Sequence, residues 1–342
     1  LKTEENLFGN FSFAGAGDWL AAVHNEGAGE LHWEPEPGIR VPSLVQPDGS
    51  TPDTRLASAW RTGASWLNIP RIPVKDVRTA NLLALKYLEL GAQGIWFELS
   101  VECSAAELLQ GIRIDYCYLA LSCDPGTEGR LPKLLHQLEG GPSPKGFIAA
   151  PGIRYEDPIW ERFPGLKACY IPVRGEPASS ALSRALAEGA NRLAEGIRPE
   201  NIVFAADAGN EFFAEVGKLK ALRYLWHQVC RSSGLSESAS RQSWIHAVTR
   251  PFTSAAYEPR GHMIAATTAA LSAILGGCDA LTVLPPDEDS LAQRVALNVS
   301  NLLREESYID KVQDPLLGAS ALDDYVDLLS RKAWAGFQAL MK

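Results

Sequence analysis

The sequence predicts an α/β fold: a (β/α)8 TIM barrel with an N-terminal extended arm and a C-terminal helix. Three observations predict it. Eight short apolar runs of strand length recur from about residue 64, each followed by a helical pattern. Prolines and glycines crowd the stretch before them, so the alternation has a clear start. No glycine-rich phosphate loop follows the first strand, which disfavours an open doubly wound sheet.

Residues 1–63 read as the arm. A short amphipathic helix runs from Asp18 to His24, and Glu30–Glu34 has strand character. Pro35, Pro37, Gly38, Pro42, Pro47, Gly49 and Pro52 then break regular structure. The missing initiator Met points to a trimmed start. Residues 64–318 read as the barrel, with strands predicted at 65–72, 94–100, 114–122, 145–150, 166–173, 201–208, 243–250 and 280–285. Strong helical periodicity covers 77–90, 180–193, 211–230, 263–275 and 291–304, and weaker patterns cover 104–111, 130–139 and 156–163. The last repeat shows its logic plainly. An alanine-rich helix stops at Gly276-Gly277, where glycine takes a C-cap conformation at little cost. Ala280–Leu284 forms a buried strand, Pro285-Pro286 ends it, and Asp287 or Asp289 caps the next helix. Residues 319–342 read as a C-terminal packing helix or the start of a linker.

Composition bounds the function classes. The 342 residues are 46% hydrophobic and 21% charged, enough for a large core. A net charge of -9 disfavours nucleic acid as a partner, because phosphate binding needs clustered Lys and Arg. No apolar run approaches the ~18 residues of a membrane span, and the first residues lack a signal-peptide core. A soluble cytoplasmic protein with no membrane partner is the expectation. The six cysteines form no C-x-x-C pair and read as buried thiols. Neither H-E-x-x-H nor G-x-S-x-G occurs, so a zinc protease and a serine hydrolase have no support and no metal site is expected.

In a barrel, functional side chains come from the C-terminal ends of strands. That rule selects Arg71, Glu98, Ser100, Asp124, Arg154, Arg174, Asp207, Thr249, Arg250, Asp287 and Glu288. Arg71, Arg174 and Arg250 could bind an anion. The plainer alternative is that these charges pair with each other and cap helices. His246, inside the seventh strand, reads either as an acid or base at the barrel mouth or, more simply, as a buried hydrogen-bonded residue. A barrel enzyme of another class, using Arg71, Asp207 and Arg250, is a further alternative.

The C-terminal third carries, in order, Thr267-Thr268, Gly276-Gly277, Asp287-Glu288, Arg294 to Asn298, Glu305-Glu306-Ser307, Val312 to Pro315, Gly318, Ser320 and Ala333-Trp334. In that order and spacing these pieces resemble the N-terminal barrel domain of the methylmalonyl-CoA mutase family. In the arm, Leu31, Trp33, Gly38, Ile39 and Pro42 fit the family pattern, which implies a segment that packs on a partner subunit. The resemblance implies isomerisation of methylmalonyl-CoA and succinyl-CoA through adenosylcobalamin, with the acyl-CoA threaded along the barrel axis. The family's Asp-x-His-x-x-Gly cobalt-ligand signature does not occur in these residues, so no cofactor is expected to bind this chain alone.

The sequence departs from catalytic members where chemistry sits. Their Gly-Tyr-His is replaced by Cys169-Tyr170-Ile171, and their Gln-Thr-Ser by Val248-Thr249-Arg250. Their Asn-x-x-Arg-Thr-Thr becomes Met263 to Thr268 without the Arg, and Thr282 stands where they have a His. The chain is most similar to the family's small, or beta, subunit, which implies a non-catalytic partner in a heterodimer with a catalytic subunit. A homodimer, or an acyl-CoA-binding barrel whose cobalamin domain lies elsewhere, is the alternative. Substrate-binding candidates are Tyr170, Arg174, Asp207, Thr249 and Arg250; no residue is assigned as catalytic. Trp96, Phe97, Tyr116, Tyr118 and Phe204 are expected to fill the barrel.

Overall fold

A computed structural model describes residues 14–27, 31–45, 63–149, 159–250, 261–287 and 289–342. Arg154, Glu288 and most of the proline-rich stretch after residue 45 lie outside the described residues. The arm contributes helix α1 (Ala16–Asn25) and an antiparallel hairpin of β1 (His32–Glu36) and β2 (Ile39–Pro42).

The remaining strands form one closed parallel ring. The first staves are β3 (Leu67–Asn68) and β4 (Arg71–Val74), successive halves of a single strand interrupted at Ile69-Pro70. Next come β5 (Gly94–Leu99), β6 (Tyr118–Cys123) and β7 (Lys145–Ile148). The fifth stave is again split, into β8 (Leu166–Lys167) and β9 (Cys169–Val173). The last three are β10 (Ile202–Ala208), β11 (Trp244–Thr249) and β12 (Ala280–Thr282). The pairings run β4-β5-β6-β7-β8 on one side and β9-β10-β11-β12-β3 on the other, all parallel. Because β3 continues into β4, and β8 into β9, the two arcs join at both ends into an eight-stranded barrel.

Pro70 marks the join. It has no N–H to give, but its carbonyl accepts from Trp96 N on β5 at 2.9 Å, while Ile69 N donates to Leu281 O on β12 at 2.9 Å. One strand therefore serves two neighbours. The predicted strands all appear, with shifted ends: the first and third run on to Val74 and Cys123, past 72 and 122, and none of the others exceeds its predicted limits. The third begins at residue 118, not 114, because Arg113 O accepts from both Tyr116 N and Cys117 N and holds that stretch in a turn.

Helices surround the ring. They are α2 (Val77–Glu89), α3 (Ala105–Leu108), α4 (Arg130–His136), α5 (Ile159–Arg162), α6 (Ala178–Ala194), α7 (Phe212–Ser232), α8 (Glu237–Ser240), α9 (Gly261–Leu275) and α10 (Ser290–Glu305). Asp76 and Asp289 cap α2 and α10 through their carboxylates. Helix α10 ties the end of the barrel to its start. Ser300 Oγ accepts from Trp66 Nε1 at 2.8 Å, and Arg304 Nη2 donates to Trp66 O at 2.6 Å. Asn68 Nδ2 donates to Leu297 O and Asn301 Oδ1.

The C-terminal helix α11 (Ser320–Leu340) packs on α6 and α7 through small residues. Ser183 Oγ donates to Ala333 O at 2.8 Å, and a Cβ on Gly336 would lie 2.4 Å from that hydroxyl oxygen. Gly217 is equally tight against the Tyr325 ring. The hairpin docks here too. Buried Glu36 accepts Ser179 N at the start of α6 and pairs with Lys332 of α11 at 2.9 Å. Helix α1 buries none of its residues. None of the six cysteines is in a disulfide, and four of them are buried.

Gly146 in β7 has φ +146°, and a Cβ there would lie 1.9 Å from Leu119 O on the paired strand. Gly146→Ala is expected to destabilise the chain by about 3 kcal/mol or more, through backbone strain plus overlap. Gly129→Ala, which meets nothing within 4 Å, is the control. Urea denaturation of both variants checks the contrast.

Candidate functional site at the barrel axis and mouth

Alternation along each strand decides which residues face the axis. On β11 the inward set is Trp244, His246 and Val248, and on the fifth stave it includes Tyr170. Trp96 enters from β5, Phe147 from β7, and Tyr118 and Ala120 from β6. These residues fill the axis in two layers.

The upper layer is built around His246. Its ring lies 5.3 Å from Trp96, 4.7 Å from Phe147 and 6.1 Å from Tyr170, and Phe147 stacks on Tyr170 at 5.7 Å. The hydrogen bonds have one direction. Thr282 Oγ1 donates to Ile69 O at 2.5 Å, so it accepts from His246 Nε2 at 2.8 Å. Nδ1 is then the acceptor, and Tyr170 Oη donates to it at 2.9 Å. The imidazole is neutral, with its proton on Nε2. Burial, helped by the Arg174 charge, pushes its pKa down to about 3, and burial pushes the Tyr170 phenol up. The indole Nε1 of Trp96 donates to Ser122 Oγ at 2.7 Å, so that polar group is satisfied as well.

The lower layer closes the other end. Tyr118 and Trp244 are 5.6 Å apart, and Lys167 Nζ lies 5.0 Å over the Trp244 ring. That ammonium donates to Gln242 O at 3.0 Å and to Glu200 O; burial lowers its pKa to about 8.

At the mouth, charged residues come from the same inward rows. Arg174 Nε is 3.1 Å from Asp207 Oδ1, Arg71 is 3.7 Å from Glu98, and Arg250 is 3.9 Å from Glu176. The Arg71 guanidinium also stands 5.6 Å over Trp96. Each cation thus faces a carboxylate, the plainer of the two arrangements the sequence allows. The structure brings Tyr170, Arg174 and Asp207 together and sets Arg250 on the rim. Thr249 faces away: it is fully buried and its hydroxyl accepts from Leu284 N at 2.9 Å. Asp287 accepts from Asp289 N.

Some filling residues differ from those expected. Trp96 and Tyr118 face the axis, but Phe97 and Phe204 point outward into the helix layer and Tyr116 is 79% exposed. Phe147 and Trp244 take up the role instead. Trp244 was within reach of the sequence, since Arg250 at the rim fixes the alternation back through Val248 and His246. Phe147 had no such marker on its strand. Among the described residues, no group of three or more His, Cys, Asp or Glu is placed to hold a metal ion. No helix among them is long and apolar enough to cross a membrane.

The depressed imidazole pKa has a consequence for stability. The unfolded chain takes up a proton near pH 6.5 that folded His246 refuses until about pH 3. Its contribution is complete above pH ~6.5 and is lost as pH falls through that window, at up to about 1.4 kcal/mol per pH unit. His246→Gln is expected to flatten this slope between pH 6 and 4, measured by urea denaturation across the range. Tyr170→Phe, which leaves Nδ1 without its donor, is expected to cost about 1–2 kcal/mol at pH 7.

Comparison with known proteins gives this barrel its relatives. Residues 183–342 match the family model described as methylmalonyl-CoA mutase. A Streptomyces virginiae protein named methylmalonyl-CoA mutase small subunit is 28% identical, over 85% of this chain and 53% of that protein. A Mycobacterium tuberculosis protein named probable methylmalonyl-CoA mutase small subunit is 31% identical, over 98% of this chain and 56% of that protein. A Porphyromonas gingivalis small subunit is 32% identical over 46% of this chain and 28% of its own length. The chain spans about half the length of the curated relatives it matches along most of its own. From the mutase-type pieces of its C-terminal third to these relatives, the chain belongs to the methylmalonyl-CoA mutase family.

Proposed function

We propose that this chain is a barrel of the small-subunit type, non-catalytic by itself, that pairs with a catalytic subunit in the cobalamin-dependent interconversion of methylmalonyl-CoA and succinyl-CoA. One observation carries the reading: the axis, where an acyl-CoA would thread, is packed with the rings of Trp96, Phe147, Tyr170 and His246 above and Tyr118 and Trp244 below. A thioester could enter only by displacing side chains that fill the core and whose polar groups are already bonded.

The residues also fit poorly with adenosylcobalamin. Both nitrogens of His246 are engaged beneath the mouth, so it offers no lone pair to cobalt. The Tyr170 hydroxyl is committed to His246. The cofactor, which in this family supplies the radical, is therefore assigned to the partner, and no step is routed through it here. The small-subunit names of the relatives support a partner of that kind. The protein is read as cytoplasmic.

The alternative is an acyl-CoA-binding barrel served by a cobalamin domain elsewhere. The placement of Tyr170, Arg174 and Asp207 beneath and around one mouth is what favours it.

The two readings separate in a mutase assay with adenosylcobalamin and methylmalonyl-CoA. The chain alone is expected to be inactive. Reconstituted with its catalytic partner, the complex is expected to keep kcat/KM within twofold when Arg174→Ala or Arg250→Ala is introduced here. A loss of more than tenfold in either variant would place substrate in this barrel.

A further inference from the structure

The loop between α10 and α11 carries mutase-type residues, Glu306-Ser307 and Val312 to Pro315, that the filled axis does not use. Its apolar residues are sorted. Ile309 and Leu316 pack against the core, while Tyr308, Val312 and Leu317 stay exposed. Leu302, on the last turn of α10, is exposed beside them: its carbonyl accepts from Glu306 N and Ser307 N, both at 3.0 Å. Apolar side chains exposed singly are ordinary, but a group on one short stretch marks a surface made for contact.

Tyr308 is the exceptional member. Its backbone lies in the left-handed region, at φ 52° and ψ 31°, and no other non-glycine residue among those described has a positive φ. A bulky side chain is held there only under strain. Among the described residues the ring has no aromatic or hydrogen-bonding partner, and it is 61% exposed. The loop beneath it is fixed. Lys311 N donates to Tyr308 O at 3.1 Å, Leu317 N donates to Asp314 O at 3.3 Å, and Asp314 pairs with buried Lys220 of α7 at 2.6 Å. A rigid loop that aims an aromatic ring outward loses little freedom on association.

Charge indicates the kind of partner. Glu305 and Glu306 lie just before the ring in the chain, are exposed, and form no ion pair among the described residues. The other charges of the loop are answered within the chain, Lys311 by Asp310 and Asp314 by Lys220. A second copy across a two-fold axis would bring the two acids toward their own images, whereas a basic surface complements them. We propose that this edge docks on the catalytic subunit, with the Tyr308 ring in an apolar pocket rimmed by Lys or Arg. The inference rests on the small-subunit reading.

Isothermal titration calorimetry of the intact chain with the catalytic subunit of the mutase assay tests it. Tyr308→Ala is expected to weaken binding tenfold or more. Tyr308→Gly, which removes the ring and relieves the backbone, is expected to lose as much, assigning the loss to the ring. Circular dichroism is expected to show both variants folded. Glu305→Gln/Glu306→Gln is expected to weaken binding threefold or more at low salt and to flatten its salt dependence. Leu82→Ala, exposed on α2, is expected to leave binding within twofold. Wild-type binding that both Tyr308 variants leave within twofold would overturn the docking edge and leave the small-subunit reading standing. A wild-type chain that binds no catalytic subunit would overturn both. Self-association of the chain alone, lost in Tyr308→Ala by analytical ultracentrifugation, would overturn the proposal in favour of a second copy.

Discussion

The structure depends on one strand that must satisfy two neighbours along different halves of its length. Between Leu67 and Val74 the backbone turns from β12 to β5, and the pivot is Ile69-Pro70. Without that handover the two five-stranded arcs would end in open edges, with rows of unpaired N–H and C=O groups. Much of the surrounding chemistry serves this join. Thr282 donates to the Ile69 carbonyl, Trp66 is held by Ser300 and Arg304, and Asn68 is held by helix α10. The first and last repeats are locked by side chains as well as by the ladder. Far from the axis, Lys220 and Asp314 form a buried pair at 2.6 Å that fixes the loop before α11 onto α7. Such a pair, fully desolvated, specifies position more than it stabilises.

The join explains the character of the axis. Because Thr282 gives its one hydroxyl hydrogen to Ile69 O, its oxygen accepts from His246 Nε2–H, and the neutral imidazole leaves Nδ1 to accept from Tyr170 Oη. A single chain of donors thus runs from the fifth stave through the seventh and eighth to the first. It fixes the tautomer of a buried histidine without any charge. The aromatic packing around it is the second half of the same device. Each large ring buries on the order of 150–250 Å², worth roughly 4–6 kcal/mol at about 25 cal/mol per Å².

Much of this was legible in the sequence, for physical reasons, and the rest was not. Apolar runs bounded by glycine, proline and capping residues gave the staves and helices, because backbone hydrogen bonding and burial act locally. The side each strand residue faces was harder to read. Strands of a parallel barrel are covered on both faces, so they lack the polar–apolar alternation that would reveal which side is in. Phe97 and Phe204 look as suited to the axis as Trp96, yet they pack against helices. Where a charged residue closes a strand the ambiguity lifts: Arg250 and Arg174 mark the inward rows of His246 and Tyr170. Thr249, one residue off that row, turns to bond Leu284. The docking of the hairpin was also hidden, because the partners of Glu36 lie in α6 and α11, far along the chain.

A barrel with an open channel forgoes ring contacts along its axis and recovers that stability only when a ligand occupies it. Here those contacts are made within the chain, and the buried polar groups of the upper layer are paired with each other. The fold therefore stands without an axial ligand. The same filling occupies the volume along the axis, where the polar groups of the upper layer bond one another. The mutase-type residues divide along that line. Gly276, against the Leu219 side chain, Asp314 on Lys220, and Trp334 against Phe337 all hold helices in place. The positions that depart from the catalytic pattern and lie on the axis, Thr282 foremost, have become parts of the packing.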